Sequence, residues 1–148
     1  MERIPVPLTR ASATWRAALP HTAAAVPIAR ALIRNALAEL ERPVDCDTAE
    51  LLTAELVANA VEHTAGTGPI ELVVELLGGQ CQVEVHDRDP ALPADMAHAE
   101  SNPYDLDERG RGLLLIRTLS SASGYRTTPH GKAVWFTLPS IPPQPRRG

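Results

Sequence analysis

Glu55, Asn59 and His63 stand four residues apart in the stretch Glu55-Leu56-Val57-Ala58-Asn59-Ala60-Val61-Glu62-His63, whose intervening members are mostly apolar or small. On an α-helix, residues four apart are offset by only about 40°, so the acid, the amide and the imidazole form one polar stripe. Such a stripe on an otherwise buried helix costs free energy unless a ligand, a metal or satisfied partners meet it. Asn59 offers a neutral oxygen ligand suited to Mg²⁺, a hard cation that keeps waters and usually binds through phosphates. Glu55, one turn away, can accept a proton from an attacking hydroxyl or water. Taken alone, a stripe of this kind is more often a capping or hydrogen-bond network than a catalytic site. His63, at its far end, is assigned to structure or to a pocket edge.

Three further features carry chemistry. Val85-His86-Asp87-Arg88-Asp89-Pro90 reads as a strand ending in an acidic turn. The Asp87 carboxylate there can accept a hydrogen bond from an exocyclic amine, or simply close the strand in an Asx-turn. Arg109-Gly110-Arg111-Gly112-Leu113 precedes a helical pattern. Its glycines let backbone approach phosphate oxygens, the helix N-terminus favours negative charge, and Arg111 adds charge-assisted contacts. Gly131-Lys132-Ala133-Val134-Trp135-Phe136 reads as a turn into a final strand, with Trp135 and Phe136 as core or sheet-face residues.

The elements that must position these groups follow from periodicity. Ser12 to Leu19 alternates loosely before Pro20 and reads as an edge strand. Val26, Ala29, Leu32, Ile33, Ala36, Leu37 and Leu40 recur with helical spacing from about Ala23 until Pro43 stops the helix. Asp45 or Asp47 caps a second helix that carries the polar stripe to about His63. Ile70 to Leu77 and Gln80 to His86, joined by Gly78-Gly79, read as a tight β-hairpin. Asp87 to Glu108 lacks sustained periodicity and reads as a functional loop or lid. Gly112 to Ser121 reads as a third helix, and Ser123 to Thr128 with Lys132 to Leu138 as a closing hairpin. The order predicts an α+β two-layer sandwich, its mixed, mostly antiparallel sheet carrying helices on one face.

Composition bounds the rest. With 148 residues the chain fits one domain, expected over 1–138, followed by a Pro-rich tail over 139–148 expected to be disordered. A formal net charge of −4 and the lack of a Lys/Arg stripe argue against a generic nucleic-acid binder. Two cysteines, Cys46 and Cys81, make neither a disulfide framework nor a zinc site and read as reduced thiols. No secretory signal pattern or membrane-length apolar run is present in the sequence, so a cytoplasmic location with no membrane partner is the expectation.

Order and spacing join the four features. The helix Glu55-x-x-x-Asn59, the strand ending in Asp87, the long lid, Gly110-x-Gly112-Leu113 and the final Gly131-Lys132-x-Val134-Trp135-Phe136 strand resemble the GHKL (histidine kinase-like) ATPase superfamily over roughly residues 10 to 138. Within it the chain is most similar to the small stand-alone anti-sigma-factor serine/threonine kinases of bacteria, the RsbW/SpoIIAB type. The resemblance implies the Bergerat fold, with ATP between helical layer and sheet and Mg²⁺ bridging its phosphates. It implies Glu55 as general base, Asn59 as metal ligand, Asp87 as adenine reader, and Gly110, Arg111, Gly112 and Leu113 at the phosphates. It further implies a homodimer that sequesters a sigma factor and phosphorylates a STAS-type anti-anti-sigma protein.

Two departures stand out. The superfamily's Asp-x-Gly-x-Gly box is Asp87-Arg88-Asp89-Pro90-Ala91 here, and a supporting threonine of the last strand is read as Ala133. They predict ATP binding that is weaker, or less selective for adenine, than with the full motif. A vestigial, non-catalytic regulatory module that docks a partner is the alternative reading. The detached ATPase half of a two-component histidine kinase is less favoured, because the chain has no room for a dimerisation helix pair with a phosphoacceptor histidine.

Overall fold

A computed structural model of the chain describes residues 12–40, 44–63, 68–77, 79–89 and 115–140. Five strands and two long helices follow in the order β1 (Ser12–Leu19), α1 (Ala25–Leu40), α2 (Cys46–His63), β2 (Ile70–Leu77), β3 (Gln80–Asp87), β4 (Ala122–Thr128) and β5 (Gly131–Pro139), with a short helical segment at 115–119 before β4. One sheet contains all five strands in the order β1-β2-β3-β5-β4. Every neighbouring pair runs antiparallel, so the described sheet is antiparallel rather than mixed. Two tight hairpins account for this: Leu77 pairs with Gln80 and Thr128 with Gly131, each leaving two residues for the turn.

Alternation sorts the sheet into two faces. Leu19, Ile70, Leu72, Val74, Cys81, Val83, Val85, Phe136 and Leu138 join the core with the buried faces of both helices. α1 packs on β1 and β2, α2 on β3 and β5, and the helices pack on each other. In α1, Ala25, Ala29, Ile33, Ala36 and Leu37 are buried at helical spacing, and the small alanines allow close approach. Pro27 falls in the first turn, where a missing N–H costs little. Of the two candidate caps for α2, Asp45 is used: its carboxylate accepts hydrogen bonds from the Thr48 N–H (3.1 Å) and hydroxyl (2.8 Å). These bonds, the backbone one first, hold the Asp45 carboxyl below its ordinary range.

The helices are clasped together by Glu50 of α2. Arg34 of α1 donates to it at 2.7 Å and Arg30 at 3.2 Å. The Arg34 hydrogen bonds are the largest influence keeping the Glu50 carboxyl below its usual range. Pro139, expected in the tail, instead closes β5 opposite Gln80, a strand terminus where the missing N–H is tolerated. The tail from residue 141 lies outside the described residues, as does the lid from Pro90 onward.

Candidate functional site at the Asp87 end of the sheet

Strand parity places Asp87, two residues after Val85, on the helix-facing side of β3 at its very end. Connectivity brings the polar half of α2 to the same end. His63 closes α2, and only residues 64–69 separate it from β2. β2 then starts at Ile70, one step beyond the Glu71–His86 pair and therefore beside Asp87. Asn59, one turn before the end of α2, thus belongs to the Asp87 end of the molecule.

Asn59 is half-buried, and its side-chain Nδ2 is buried with no hydrogen-bond partner. An unpaired buried amide costs about 1–3 kcal/mol, a cost that a ligand with matching polar atoms removes. The two amide heavy atoms exchange places by a side-chain flip, so either can face a ligand. Glu55 is also half-buried, but it lines a cavity of about 500 Å³ between α1 and α2, shared with Arg30, Arg34 and Glu50. Glu55 thus lines the α1–α2 cavity, while Asn59, one turn later on the same helix, is not part of its lining. His63 closes α2. Gly110, Arg111, Gly112 and Leu113 lie outside the described residues.

At the end of β3, Asp87 closes the strand. The Asp89 N–H donates to Asp87 Oδ1 at 2.8 Å, which is the Asx-turn. Lys132 Nζ donates to the same oxygen at 3.1 Å and to the Asp89 carbonyl at 2.7 Å. Lys132 is 1% exposed and the Asp87 side chain 3%, so this is a buried ion pair tied into the turn that ends the strand. Among the described residues Oδ2 accepts no hydrogen bond.

The sequence reading matches the superfamily's supporting threonine to Ala133, a loss of that support; the register shows which residue of the last strand lies opposite Asp87. Ala133 pairs with His86 and faces away from the helices, whereas Lys132 pairs with Asp87. A one-residue step along a strand exchanges faces, so only the strand pairing decides which neighbour reaches the carboxylate. Lys132 was therefore missed; its signal was its place directly after Gly131 at the start of the final strand. Gly131 is required for that proximity. A Cβ there would stand 2.0 Å from the Asp87 carbonyl oxygen and 2.6 Å from Arg88 Cα.

A second polar group occupies the opposite face of the sheet. Glu84, 3% exposed, receives hydrogen bonds from Arg126 (2.7 and 3.0 Å), Gln82 (2.6 Å) and His86 (2.8 Å). Burial is the largest single influence and pushes the Glu84 carboxyl up. The bonds from His86, Arg126 and Gln82 and the Arg126 charge together override it, and the group ends at about 2. Beside this cluster, a cavity of about 550 Å³ opens at the strand ends between His86, Arg88, Arg126, Thr128 and His130. Among the described residues no cluster of His, Cys, Asp and Glu is arranged to hold a metal by itself. Any cation at Asn59 would take its remaining ligands from phosphates and water. No described helix is long and apolar enough to cross a membrane.

Residues 17–138 match the model of the family described as the histidine kinase-like ATPase domain. No curated protein matches the sequence.

Proposed function

The chain belongs to the histidine kinase-like ATPase domain family, and on that premise we propose that it binds ATP with Mg²⁺ and serves as an anti-sigma factor with protein serine/threonine kinase activity. Family membership supports ATP binding. The observation that carries the reading to particular residues is the buried Nδ2 of Asn59 near the end of α2, which has no hydrogen-bond partner among the described residues. An amide oxygen there suits a cation shared with phosphates, and Asp87 Oδ2 suits the base amine.

The bound nucleotide supplies the phosphoryl group. Glu55, half-buried on the same helix, takes the proton of the attacking protein hydroxyl while the oxygen–phosphorus bond forms and the bond to the ADP oxygen breaks. Asn59 fixes the cation, and positioning with charge neutralisation does most of the remaining work. The protein whose hydroxyl reacts is, in this reading, a STAS-type anti-anti-sigma protein, and the sequestered partner a sigma factor. We place the protein in the cytoplasm and expect a homodimer.

A specific observation favours the second reading, a regulatory module that senses nucleotide without transferring phosphate. Lys132 already engages Asp87, and Glu55 faces the α1–α2 cavity. Incubation with [γ-³²P]ATP, Mg²⁺ and candidate anti-anti-sigma proteins separates the two. The kinase reading expects label on the partner, lost in Glu55→Ala. Tight partner binding with no label on any candidate leaves the docking module, and no thermal shift with ATP or ADP removes the nucleotide reading itself.

A further inference from the structure

One row of paired residues crosses all five strands on the face away from the helices: Ala18, Glu71, His86, Ala133 and Arg126. Two of the five carry a single side-chain carbon, so the longer polar groups stand as walls. The cavity of about 550 Å³ opens along this row, where His86, Arg88, Arg126, Thr128 and His130 line it together. We propose that it binds a phosphate dianion, free or as a phosphomonoester. The site lies on the opposite face from the nucleotide reading above and does not depend on it.

Two arginines from different parts of the chain reach the cavity, and the structure positions both. Glu84, 3% exposed, accepts from Arg126 Nη1 at 2.7 Å and Nη2 at 3.0 Å. That pair engages two of the five N–H donors of a guanidinium, and the Arg126 side chain is still 49% exposed. The same buried carboxylate accepts the Nε2–H of His86, so one anchor orients donors from β3 and β4. Arg88 lies over Gly68, its guanidinium carbon 3.8 Å from where a side chain at Gly68 would begin. Thr128 Oγ1 accepts the Gly131 N–H at 3.0 Å and keeps its own O–H to donate. The carboxylates around the cavity each have a cation: Glu71 has Arg16 at 3.2 Å, Asp87 has Lys132 at 3.1 Å, and Glu84 has Arg126. Arg88 adds positive charge beyond those three pairs. Guanidinium groups recognise phosphate through paired N–H···O bonds, and a dianion has oxygens enough for two of them. The volume exceeds that of the ion itself, and Ala18, Pro69 and Pro129 line the remainder, which suits the organic body of a phosphomonoester.

The test is a titration of the ¹⁵N-labelled full chain with inorganic phosphate, O-phosphoserine and serine at constant ionic strength, followed by amide chemical shifts. We expect saturable shifts at His86, Arg88, Thr128 and His130, with dissociation constants of about 1–10 mM for the two phosphate ligands. Arg88→Gln should weaken both by about tenfold, the worth of one hydrogen bond to a charged group. Arg30→Gln, which removes a cation from the α1–α2 cavity instead, should leave both within about twofold. O-phosphoserine binding tighter than phosphate assigns the cavity to an organic phosphomonoester, and equal constants assign it to the ion; either supports the site. Serine binding as well as O-phosphoserine overturns it, as do shifts that spread over the surface without saturating. Unchanged constants in Arg88→Gln also overturn it. Shifts confined to α2 would put the phosphate on the helix side and overturn it while leaving the nucleotide reading standing. Should Arg88→Gln fail to fold, the wild-type shift map decides alone.

Discussion

Arg126 of β4 holds Glu84 of β3 by two parallel hydrogen bonds, 2.7 and 3.0 Å long, reaching across the intervening strand β5. The pair lies on the face away from the helices and binds the last two strands to the sheet's centre by side chains as well as backbone. Its consequence is a pH dependence with a definite sign. The folded-state pKa of about 2 lies below the ordinary carboxyl value of 4.5, so the stabilisation is complete above about pH 4.5 and disappears as pH falls towards 2. The difference corresponds to about 3 kcal/mol. Urea unfolding between pH 6 and 2.5 should show this loss in the wild type and a much flatter profile in Glu84→Gln.

Asn59→Ala should separate stability from binding. Its amide Nδ2 is buried without a partner, so the substitution removes an unpaid desolvation cost and should change unfolding free energy by no more than about 1 kcal/mol. Mg²⁺-dependent stabilisation by ATP should nevertheless fall sharply, seen as a smaller thermal shift at equal nucleotide concentration. A large stability loss with undiminished nucleotide response would contradict the assignment.

Gly131→Ala should be costly although the change is a single methyl. The added carbon meets backbone atoms of Asp87 and Arg88 at 2.0 to 2.7 Å, and backbone does not step aside as a flexible side-chain end does. Overpacking of this kind costs about 1–3 kcal/mol. The drop in thermal midpoint should be accompanied by weaker nucleotide binding, whereas Gly79→Ala, with open space around its position, should leave binding unchanged.

The two cysteines should differ in reactivity. Cys46 is exposed, and Cys81 is buried with its thiol pushed up to about 11, chiefly by burial and secondarily by Cys46. The thiolate is the reactive species, so a disulfide reagent at pH 8 should titrate one thiol in native protein and two in denaturant. Rapid modification of both in the native state would show that β3 opens.

Local chemistry was legible in the chain itself. The periodicity of Ala29, Ile33 and Ala36, a cap at Asp45 or Asp47, and the two-residue turn before Gln80 are each decided within a few residues, and the structure has the helix, the Asp45 cap and that turn, while β5 starts at Gly131, one residue before the expected Lys132. The Glu55–Asn59 spacing sets the two groups one turn apart on α2 for the same reason: a helix's geometry is local. Tertiary structure alone decided what each polar residue meets. Lys132 rather than Ala133 reaches Asp87 because strands 45 residues apart pair in one register, and a single step would have exchanged them. No local pattern singles out Glu84. Arg126, 42 residues later, makes it a buried ion-pair centre because β5 inserts between their strands. Charge and periodicity belong to the sequence, but pairing between distant segments depends on the packing free energy of the whole sheet, which no local pattern encodes.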